Sequence, residues 1–380
     1  MRPTHILYLI DDLYSSRGGS EQHLLWLLRS IPSSEFEKHF VIFSTFWHPE
    51  TAVLEQEPVV LGEKFGIGGK SWLRRFRFLA KYIREHKIEL IQAFSPRAEL
   101  AAVLAVRLAR QGRVIGNRRD CGYDKRRELR WIFWLARLLG TKYVANSEAA
   151  KQAAFRNDGT PLHSITVIRN PIAFERIQAG LAAPMRRSDL PITSEFPTGK
   201  LVGMVATVRP IKDYGTLICA AKIVLEKFPD TGFLFVGEKD EKHKSELQQL
   251  AEEQGVSEKI IWYGGIDNPL KIVPLFDVAV LSSHSESFSN AVLEYAVAER
   301  AIVVSDVGGL GEIIEDGRSG FIVPPENPAA LAEKIIRFFE DSELGHRFGQ
   351  QAKEFVFREY NEQKILKQYL EFYRQTLNKH

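Results

Sequence analysis

Cysteine is nearly absent from this chain of 380 residues, which contains only Cys121 and Cys219. The two lie far apart in sequence and in no paired spacing, which excludes a disulfide framework and a cysteine-rich metal knuckle. The chain also lacks an Asp-x-Asp triplet and a His-Glu-x-x-His sequence, and its ten histidines are scattered. We therefore expect reduced thiols, no metal site and no resident cofactor.

Long hydrophobic runs are missing as well. No apolar stretch approaches the roughly 18 residues of a spanning helix. The short run "HILYLI" near the N-terminus ends in two acids and does not resemble a signal peptide. The sequence therefore predicts a cytoplasmic protein, either soluble or bound peripherally to the inner face of a membrane.

Positive charge is concentrated in the first half of the chain. Residues 1–190 contain 30 Lys and Arg against 19 Asp and Glu, and the remaining residues contain 21 against 29. Basic residues stand beside aromatic ones in two segments, 70–87 and 124–140. This pattern fits a surface for anionic lipid and equally fits ordinary helices with a solvated basic face. No nucleic-acid-binding motif accompanies the charge, so we expect no nucleic-acid partner.

Buried-strand patterns alternate with helical ones along nearly the whole chain. Because parallel strands need long crossover connections, this alternation predicts parallel sheets covered by helices. The strand candidates are "HILYLIDD", "KHFVIFST", "IELIQAF", "RVIGN", "LVGMVAT", "GFLFVG", "KIIWYGG", "VAVLSS" and "AIVVSDVGG", and the helix candidates include 20–31, 71–86, 97–110, 214–228 and 328–376. The fold class is thus α/β, with two consecutive doubly wound, Rossmann-like domains that face a cleft.

A proline-containing stretch without sustained periodicity separates the two halves around residues 173–199. It divides the chain into a first domain over 1–180, a linker over 181–199 and a second domain over 200–355. The end, 356–380, is predicted to be an amphipathic helix that can return to the first domain.

Ligands of such sheets bind outside the carboxyl ends of the strands, so site residues are expected in the loops that follow strands. Gly18 and Gly19 follow the first strand and open a helix, where backbone amides can approach a phosphate, although a glycine turn before a helix is commonplace. Arg209 and Lys212 follow the first strand of the second domain. These cations can neutralise a diphosphate, or they are two solvated loop charges.

The segment "VAVLSSHSESFSNAVLEYAVA" predicts a strand, a loop and a helix, with Ser289 and Asn290 at the helix N-terminus. Glu294, about one turn inside the helix, can accept hydrogen bonds from the hydroxyls of a ribose. Glu286, before the helix, would face a bound sugar. Both glutamates also have ordinary structural explanations. Glu294 can be a helix residue at the edge of the core, and Glu286 can be a first-turn acid that the helix dipole favours. His284 is the only histidine near this pair.

In order, these motifs resemble the retaining nucleotide-sugar glycosyltransferases of family 4, which have the GT-B architecture. The resemblance spans nearly the whole chain through "GGSE", "VIRNPI", "RPIKD", the two glutamates, "DVGGLGEII" and "DGRSGFIVPPEN". It implies that Glu294 binds the ribose and that Glu286 holds the donor sugar. The implied catalytic residues are Glu286, Lys212 and Arg209, and the implied donor-binding residues are Gly18, Gly19, Thr207, Gly265, Ile266, Phe288, Ser289, Asn290, Ala291 and Glu294.

The sequence departs from the family pattern in both halves. The usual Gly-Arg pair falls on Ala206 and Thr207, so Arg209 is the candidate to replace the missing arginine. The usual acceptor-side histidine falls near Phe94. Instead, "GNRRDCGY" resembles an Arg-Arg-Asp variant, which makes the following residues candidates for the acceptor side, or otherwise a basic loop with an ion pair: Arg118, Arg119 and Asp120.

The sequence therefore predicts a metal-independent, retaining glycosyltransferase with a nucleoside diphosphate sugar as donor. A lipid-linked or polysaccharide precursor is the expected acceptor. A GT-B epimerase or phosphorolytic enzyme and a non-catalytic nucleotide-sugar-binding protein remain open. An NAD oxidoreductase is disfavoured, because neither first loop has the glycine fingerprint followed by an acid.

Overall fold

A computed structural model describes residues 2–13, 18–43, 59–61, 70–121, 134, 136, 140–191, 196–238 and 240–378. The chain divides into two compact units. Unit 1 comprises Met1–Asn170 together with Gln363–His380, and unit 2 comprises Pro171–Glu362. The division thus falls before the proline-containing stretch, and residues 171–180 belong with the second half of the chain.

Unit 1 is built on a parallel sheet of seven strands in the order β3-β2-β1-β4-β5-β6-β7. The strands are β1 (Thr4–Ile10), β2 (Phe36–Ile42), β3 (Val59–Val60), β4 (Leu90–Ala93), β5 (Arg113–Arg118), β6 (Lys142–Ala145) and β7 (Ile165–Val167). The described helices are α1 (Gly19–Ser30), α2 (Lys70–Glu85), α3 (Pro96–Ala109) and α4 (Glu148–Asp158). Strands β1 and β4 are buried along most of their length, as expected for a sheet covered on both faces.

Unit 2 contains a parallel sheet of six strands in the order β10-β9-β8-β11-β12-β13. The strands are β8 (Leu201–Val205), β9 (Gly232–Val236), β10 (Ile260–Gly264), β11 (Val278–Leu281), β12 (Ala301–Ser305) and β13 (Phe321–Val323). The helices are α5 (Phe174–Leu181), α6 (Tyr214–Lys227), α7 (Glu241–Glu253), α8 (Asn290–Val297), α9 (Pro328–Glu340) and α10 (Ser342–Glu359). One continuous hydrophobic core lies between the sheet and these helices.

The strand order of unit 2 reverses direction between β8 and β11. This is the doubly wound order in which ligands bind outside the carboxyl ends of the strands at the reversal. The loops that follow β8 and β11 are therefore the expected site of unit 2. The predicted α/β class with two doubly wound domains is confirmed.

The C-terminal helix α11 (Glu362–Asn378) packs on unit 1. Its apolar face buries Ile365, Tyr369, Phe372 and Tyr373 in the same core as β1. The Tyr373 hydroxyl donates a hydrogen bond to the buried Gln92 of β4. The amphipathic pattern at the end of the sequence therefore arises from burial of one helix face.

The proline-containing stretch 173–199, in which the sequence shows no sustained periodicity, begins with α5. Ile177 of α5 is buried in the core of unit 2, and Gly180 lies directly against Leu270. The sequence analysis also missed three short strands, β3, β6 and β7, and two helices, α4 and α7. Helix α7 is largely polar and buries only Leu247 and Ala251, so its hydrophobic periodicity is weak.

The basic helix α2 buries Leu79, Ala80 and Ile83, whereas Arg77 and Arg84 are exposed. The second basic segment, 124–140, lies almost entirely outside the described residues, and Trp134 within it is exposed. None of the described helices combines the length and the apolar character that a membrane span requires.

Packing at the centre of unit 2 gives a first testable prediction. Gly203 of β8 faces the ring of the buried Phe276, and a Cβ atom at position 203 would lie 2.3 Å from three ring carbons. We expect Gly203→Ala to lower the free energy of unfolding by about 1–3 kcal/mol, because overpacking displaces a ring with no free space around it.

Urea denaturation of the full chain measures this effect. Gly311→Ala is the matched control, since the nearest atom to its added Cβ would be 3.9 Å away. Equal midpoints for the two variants would contradict the packing described for β8.

Candidate active site

The loop after β8 forms a rigid turn that presents Lys212. A 3₁₀ turn spans Pro210–Lys212 and ends at Asp213, whose φ is 47°. The Asp213 carboxylate then caps α6, since it accepts hydrogen bonds from the Thr216 amide at 3.1 Å and from its hydroxyl at 2.6 Å. The capping acid thus fixes the backbone directly after Lys212.

Three contacts hold the loop after β11 against this turn. The Ser282 hydroxyl donates to the Asp213 carbonyl at 2.8 Å, and the His284 amide donates to the Ile211 carbonyl at 2.9 Å. Lys212 Nζ lies 2.5 Å from Glu286 Oε1. The structure therefore brings together two residues, Lys212 and Glu286, that the sequence analysis assigned to catalysis from loops 74 residues apart.

Glu286 is held on two sides besides its contact with Lys212. Its side chain is only 8% exposed, and its Oε1 accepts a hydrogen bond from the Ser283 hydroxyl at 2.8 Å. Its carbonyl accepts from the Gly309 amide at 3.1 Å, in the glycine pair that follows β12. The carboxylate therefore has a fixed position at the carboxyl end of β11.

Helix α8 begins immediately beyond this carboxylate. Ser289 is its N-cap residue and accepts a hydrogen bond from the Val292 amide at 3.4 Å. Asn290 and Ala291 are the first two helical residues, as the sequence predicted. The first-turn amides and the positive end of the helix dipole make such a terminus suitable for an anionic group.

Tyr295 positions this helix, although the sequence analysis did not single it out. Its buried hydroxyl accepts a hydrogen bond from the Val205 amide at 2.6 Å and donates to the Val280 carbonyl at 3.2 Å. It thus ties α8 to both β8 and β11 at the reversal of strand order. A tyrosine within an apolar helix carries no sequence signal that distinguishes this role from simple burial.

Glu294 lies one turn inside α8 and pairs with Arg176 of α5 at 3.2 Å. Burial raises the pKa of the Glu294 carboxyl, and the Arg176 guanidinium partly offsets that rise. Asn268 donates to the Arg176 carbonyl at 2.7 Å. Arg176 was missed because it lies in the stretch 173–199, whose sequence has no sustained periodicity.

The remaining candidates of unit 2 differ in exposure. Arg209 is exposed and forms no ion pair with any residue that the structure describes. Thr207 follows β8, and Gly265 and Ile266 follow β10, so these three also lie beyond carboxyl ends of strands. The Phe288 side chain packs against Tyr360 in the core at a ring distance of 5.4 Å. His284 lies 3.2 Å from Glu326 and 3.7 Å from Asp213.

In unit 1, the three acceptor-side candidates have different environments. Arg118 is buried, pairs with Glu99 at 2.7 Å and with Asp158 at 3.5 Å, and lies over the Tyr143 ring. The Arg118 side chain therefore lies in the interior and forms ion pairs. This position agrees with the alternative of a basic loop with an ion pair and not with a residue that lines the acceptor side of a site. Asp120 is exposed at the surface.

Arg119, in contrast, extends toward the glycine loop after β1. Its Nη2 donates to Asn170 Oδ1 at 2.6 Å and lies 3.5 Å from the Gly19 carbonyl. Gly18 is the N-cap of α1, and its carbonyl accepts from the Gln22 amide. Unit 1 thus brings Gly18, Gly19 and Arg119 together at the carboxyl end of β1.

His23 of α1 lies beside Phe94, the position where the family pattern expects a histidine. The rings are 6.4 Å apart, and His23 Nε2 is 2.7 Å from the Tyr369 hydroxyl. Burial lowers the pKa of His23 well below its ordinary value, and the positive charge of Arg119 adds to that effect. The sequence analysis treated this histidine as one of the scattered ones.

The low pKa of His23 predicts an acid-sensitive unit 1. The unfolded chain takes up a proton at this residue as the pH falls below about 6.5, whereas the folded chain does not. The free energy of unfolding should therefore fall with decreasing pH from about 6.5, by up to about 1.4 kcal/mol per pH unit, until the folded pKa is reached.

Urea unfolding at pH 7 and pH 5 tests this, with His23→Gln as the comparison because glutamine carries no titrating proton. The variant should lose less stability than the wild type between the two pH values. Parallel pH profiles would contradict the assignment.

Two family models match the chain in succession. Residues 17–176 match the model described as "Glycosyltransferase Family 4", and residues 186–355 match the one described as "Glycosyl transferases group 1". Together they cover Gly18 and Gly19 before α1 and the loops after β8 and β11.

Characterised relatives align over part of their length. A poly(ribitol-phosphate) α-N-acetylglucosaminyltransferase of Staphylococcus aureus is 26% identical over 47% of this chain and 36% of its own. An N-acetyl-α-D-glucosaminyl L-malate synthase of Bacillus anthracis is 27% identical over 47% of this chain and 46% of its own. The chain therefore spans less than half the length of these relatives.

A solved structure aligns over almost the entire chain. The complex of Anabaena HepE with UDP and glucose has a TM-score of 0.79 and 20% identity, and the match covers 97% of this chain and 99% of HepE. At this identity the likeness concerns the fold, and it confirms the GT-B architecture that the resemblance implied. The two family models, which together match residues 17–176 and 186–355, show that the chain belongs to the family 4 glycosyltransferases.

Proposed function

We propose that this protein is a retaining, metal-independent glycosyltransferase that moves a sugar from a nucleoside diphosphate sugar to an acceptor. The observation that carries the proposal is the contact of Lys212 with Glu286, 2.5 Å apart, at the carboxyl ends of β8 and β11. A cation, a carboxylate and a helix N-terminus converge there, which is the set of groups that a sugar diphosphate needs.

The donor diphosphate is assigned to the first turn of α8 and to Lys212. The amides of Ser289, Asn290 and Ala291 offer hydrogen bonds to phosphate oxygens, and the helix dipole favours their negative charge. Arg209 is exposed near the same turn and can supply a second positive charge. The HepE structure holds UDP, and this supports a nucleoside diphosphate as the ligand of the shared fold.

Glu294 is assigned to the ribose hydroxyls, with Arg176 as a positioning residue. A carboxylate must be ionised to accept both hydroxyl hydrogen bonds, and burial alone would favour its neutral form. The Arg176 guanidinium opposes this effect at 3.2 Å. Arg176 therefore favours the ionised form of Glu294, which can accept the ribose hydrogen bonds one turn along α8 from the proposed diphosphate position.

The proposed chemistry is stabilisation of charge that develops as the sugar–phosphate bond breaks. Negative charge grows on the departing diphosphate, where Lys212 and the first-turn amides of α8 would stabilise it. Positive charge grows on the sugar, where the Glu286 carboxylate can interact with it. Lys212 and Glu286 pair with each other, so a bound donor must separate the two charges or share Lys212.

The acceptor is proposed to be a lipid-linked or polysaccharide precursor that contacts unit 1. Relatives named for poly(ribitol-phosphate) transfer and for capsular polysaccharide biosynthesis support a polymer or its precursor. The exposed arginines of α2 support a peripheral contact of unit 1 with an anionic membrane.

Replacement of Glu286 by Gln should lower turnover by at least about 100-fold, as expected when a group that stabilises transition-state charge is lost. The introduced amide retains an oxygen for the Ser283 hydroxyl but removes the charge that pairs with Lys212, so the thermal midpoint should fall while the protein stays folded at the assay temperature. The assay is release of the nucleoside diphosphate from UDP-, GDP- and ADP-sugars, with and without added Mg²⁺ or Mn²⁺, which should not raise the rate.

Lys212→Met should reduce turnover similarly. The matched control is Lys227→Met, which breaks the exposed pair of Lys227 with Glu340 and should leave turnover unchanged. Near-normal turnover in both active-site variants would refute the assignment. Inversion at the anomeric carbon, measured by NMR of the product, would refute only the retaining mechanism and not the site assignment.

A further inference from the structure

Two histidines and a glutamate lie together on one face of the sheet in unit 1. Strands β1 and β2 pair in parallel, with His5 opposite Glu37 and Leu7 opposite His39. Because side chains alternate between faces along a strand, residues 37 and 39 lie on the same face as residue 5. The register of this pair of strands thus creates the cluster.

The distances within the cluster match the ligands of one small cation. His5 Nδ1 lies 3.1 Å from His39 Nε2, and Glu37 Oε1 lies 3.6 Å and 3.7 Å from these nitrogens. Tetrahedral Zn²⁺ binds nitrogen and oxygen at about 2.0–2.2 Å, so its ligand atoms stand about 3.3–3.6 Å apart. All three separations are close to that edge length.

The neighbouring side chains also fit a zinc site, because a zinc-bound histidine usually has a hydrogen-bond partner at its second ring nitrogen. Tyr82 of α2 places its hydroxyl 3.0 Å from His39 Nδ1, the ring nitrogen that points away from the cluster. A partner there fixes the tautomer and leaves Nε2 with its lone pair toward the cation. His39 is buried, whereas Glu37 is 46% exposed, so solvent can reach a fourth position.

An ordinary explanation accounts for only part of this arrangement. A single hydrogen bond between the imidazoles explains their 3.1 Å separation. It does not explain why a carboxylate oxygen lies nearly equidistant from both nitrogens yet beyond hydrogen-bond distance of either. A cation at the centre would satisfy all three atoms at once.

We propose that His5, Glu37 and His39 bind one Zn²⁺ ion, with water as the fourth ligand. Among the described residues, no other group of His, Cys, Asp and Glu side chains has this spacing. The cluster involves the amino end of β1, whereas Gly18 and Gly19 follow its carboxyl end. The ion would therefore join β1 to β2 and stabilise unit 1, and it has no part in the proposed transfer reaction.

Calorimetric titration of the chelator-treated full chain with ZnCl₂ tests the site, together with thermal unfolding with and without Zn²⁺. We expect one ion per chain and a raised unfolding midpoint, because an ion that binds only the folded state stabilises it. His5→Gln and Glu37→Gln should each weaken binding by at least about tenfold, since loss of an outer-sphere partner alone costs about 10–100-fold.

His86→Gln is the matched control. The His86 ring lies 5.2 Å from that of His39, but His86 does not belong to the cluster of ligand atoms. The Zn²⁺ affinity of the His86→Gln variant should therefore match that of the wild type. Co²⁺ in the same site should give the visible absorption of a tetrahedral ion. Absent binding, or binding that is equal in the wild type and both ligand variants, would overturn the proposal and leave the histidine hydrogen bond as the full explanation.

Discussion

The site in unit 2 depends on the hydrogen bonds of the Tyr295 hydroxyl. This group joins α8 to β8 through the Val205 amide and to β11 through the Val280 carbonyl. It therefore fixes the N-terminus of α8 over the reversal of strand order, where the loops after the two strands meet. Without that anchor, the first-turn amides would have no fixed position relative to Lys212.

The charged side chains of this site occur in pairs of opposite sign. Lys212 pairs with Glu286, and Arg176 pairs with Glu294. Buried pairs of this kind contribute little net stability, because desolvation offsets much of their attraction, whereas the loss of one partner is costly. In the proposed function their value is orientation, because each charged group is held where we propose that the donor's charge or hydroxyls replace its partner.

The sequence predicted the fold, both members of the Lys212–Glu286 pair and one member of the Arg176–Glu294 pair. Apolar runs and glycine loops identified nine strands and the helix at 290, and they placed Lys212 and Glu286 in loops and Glu294 in that helix. It could not predict Arg176, because the stretch 173–199 has no sustained periodicity and the short helix α5 within it gives no clear helical pattern. Nor could it show that Arg118 turns inward to Glu99, since the partner lies 19 residues away on another element. Side-chain direction and long-range pairing depend on packing, which local periodicity does not encode.

The most direct test of the central claim is the affinity of the wild-type chain for UDP, GDP and ADP, measured by calorimetry and repeated in Glu294→Ala and Arg176→Ala. We expect one nucleotide to bind selectively. Glu294→Ala should weaken the binding of that nucleotide by at least about tenfold through lost ribose hydrogen bonds. Arg176→Ala should weaken its binding as well. Equal affinity in all three proteins, or no binding of any nucleoside diphosphate, would contradict the placement of the donor in unit 2.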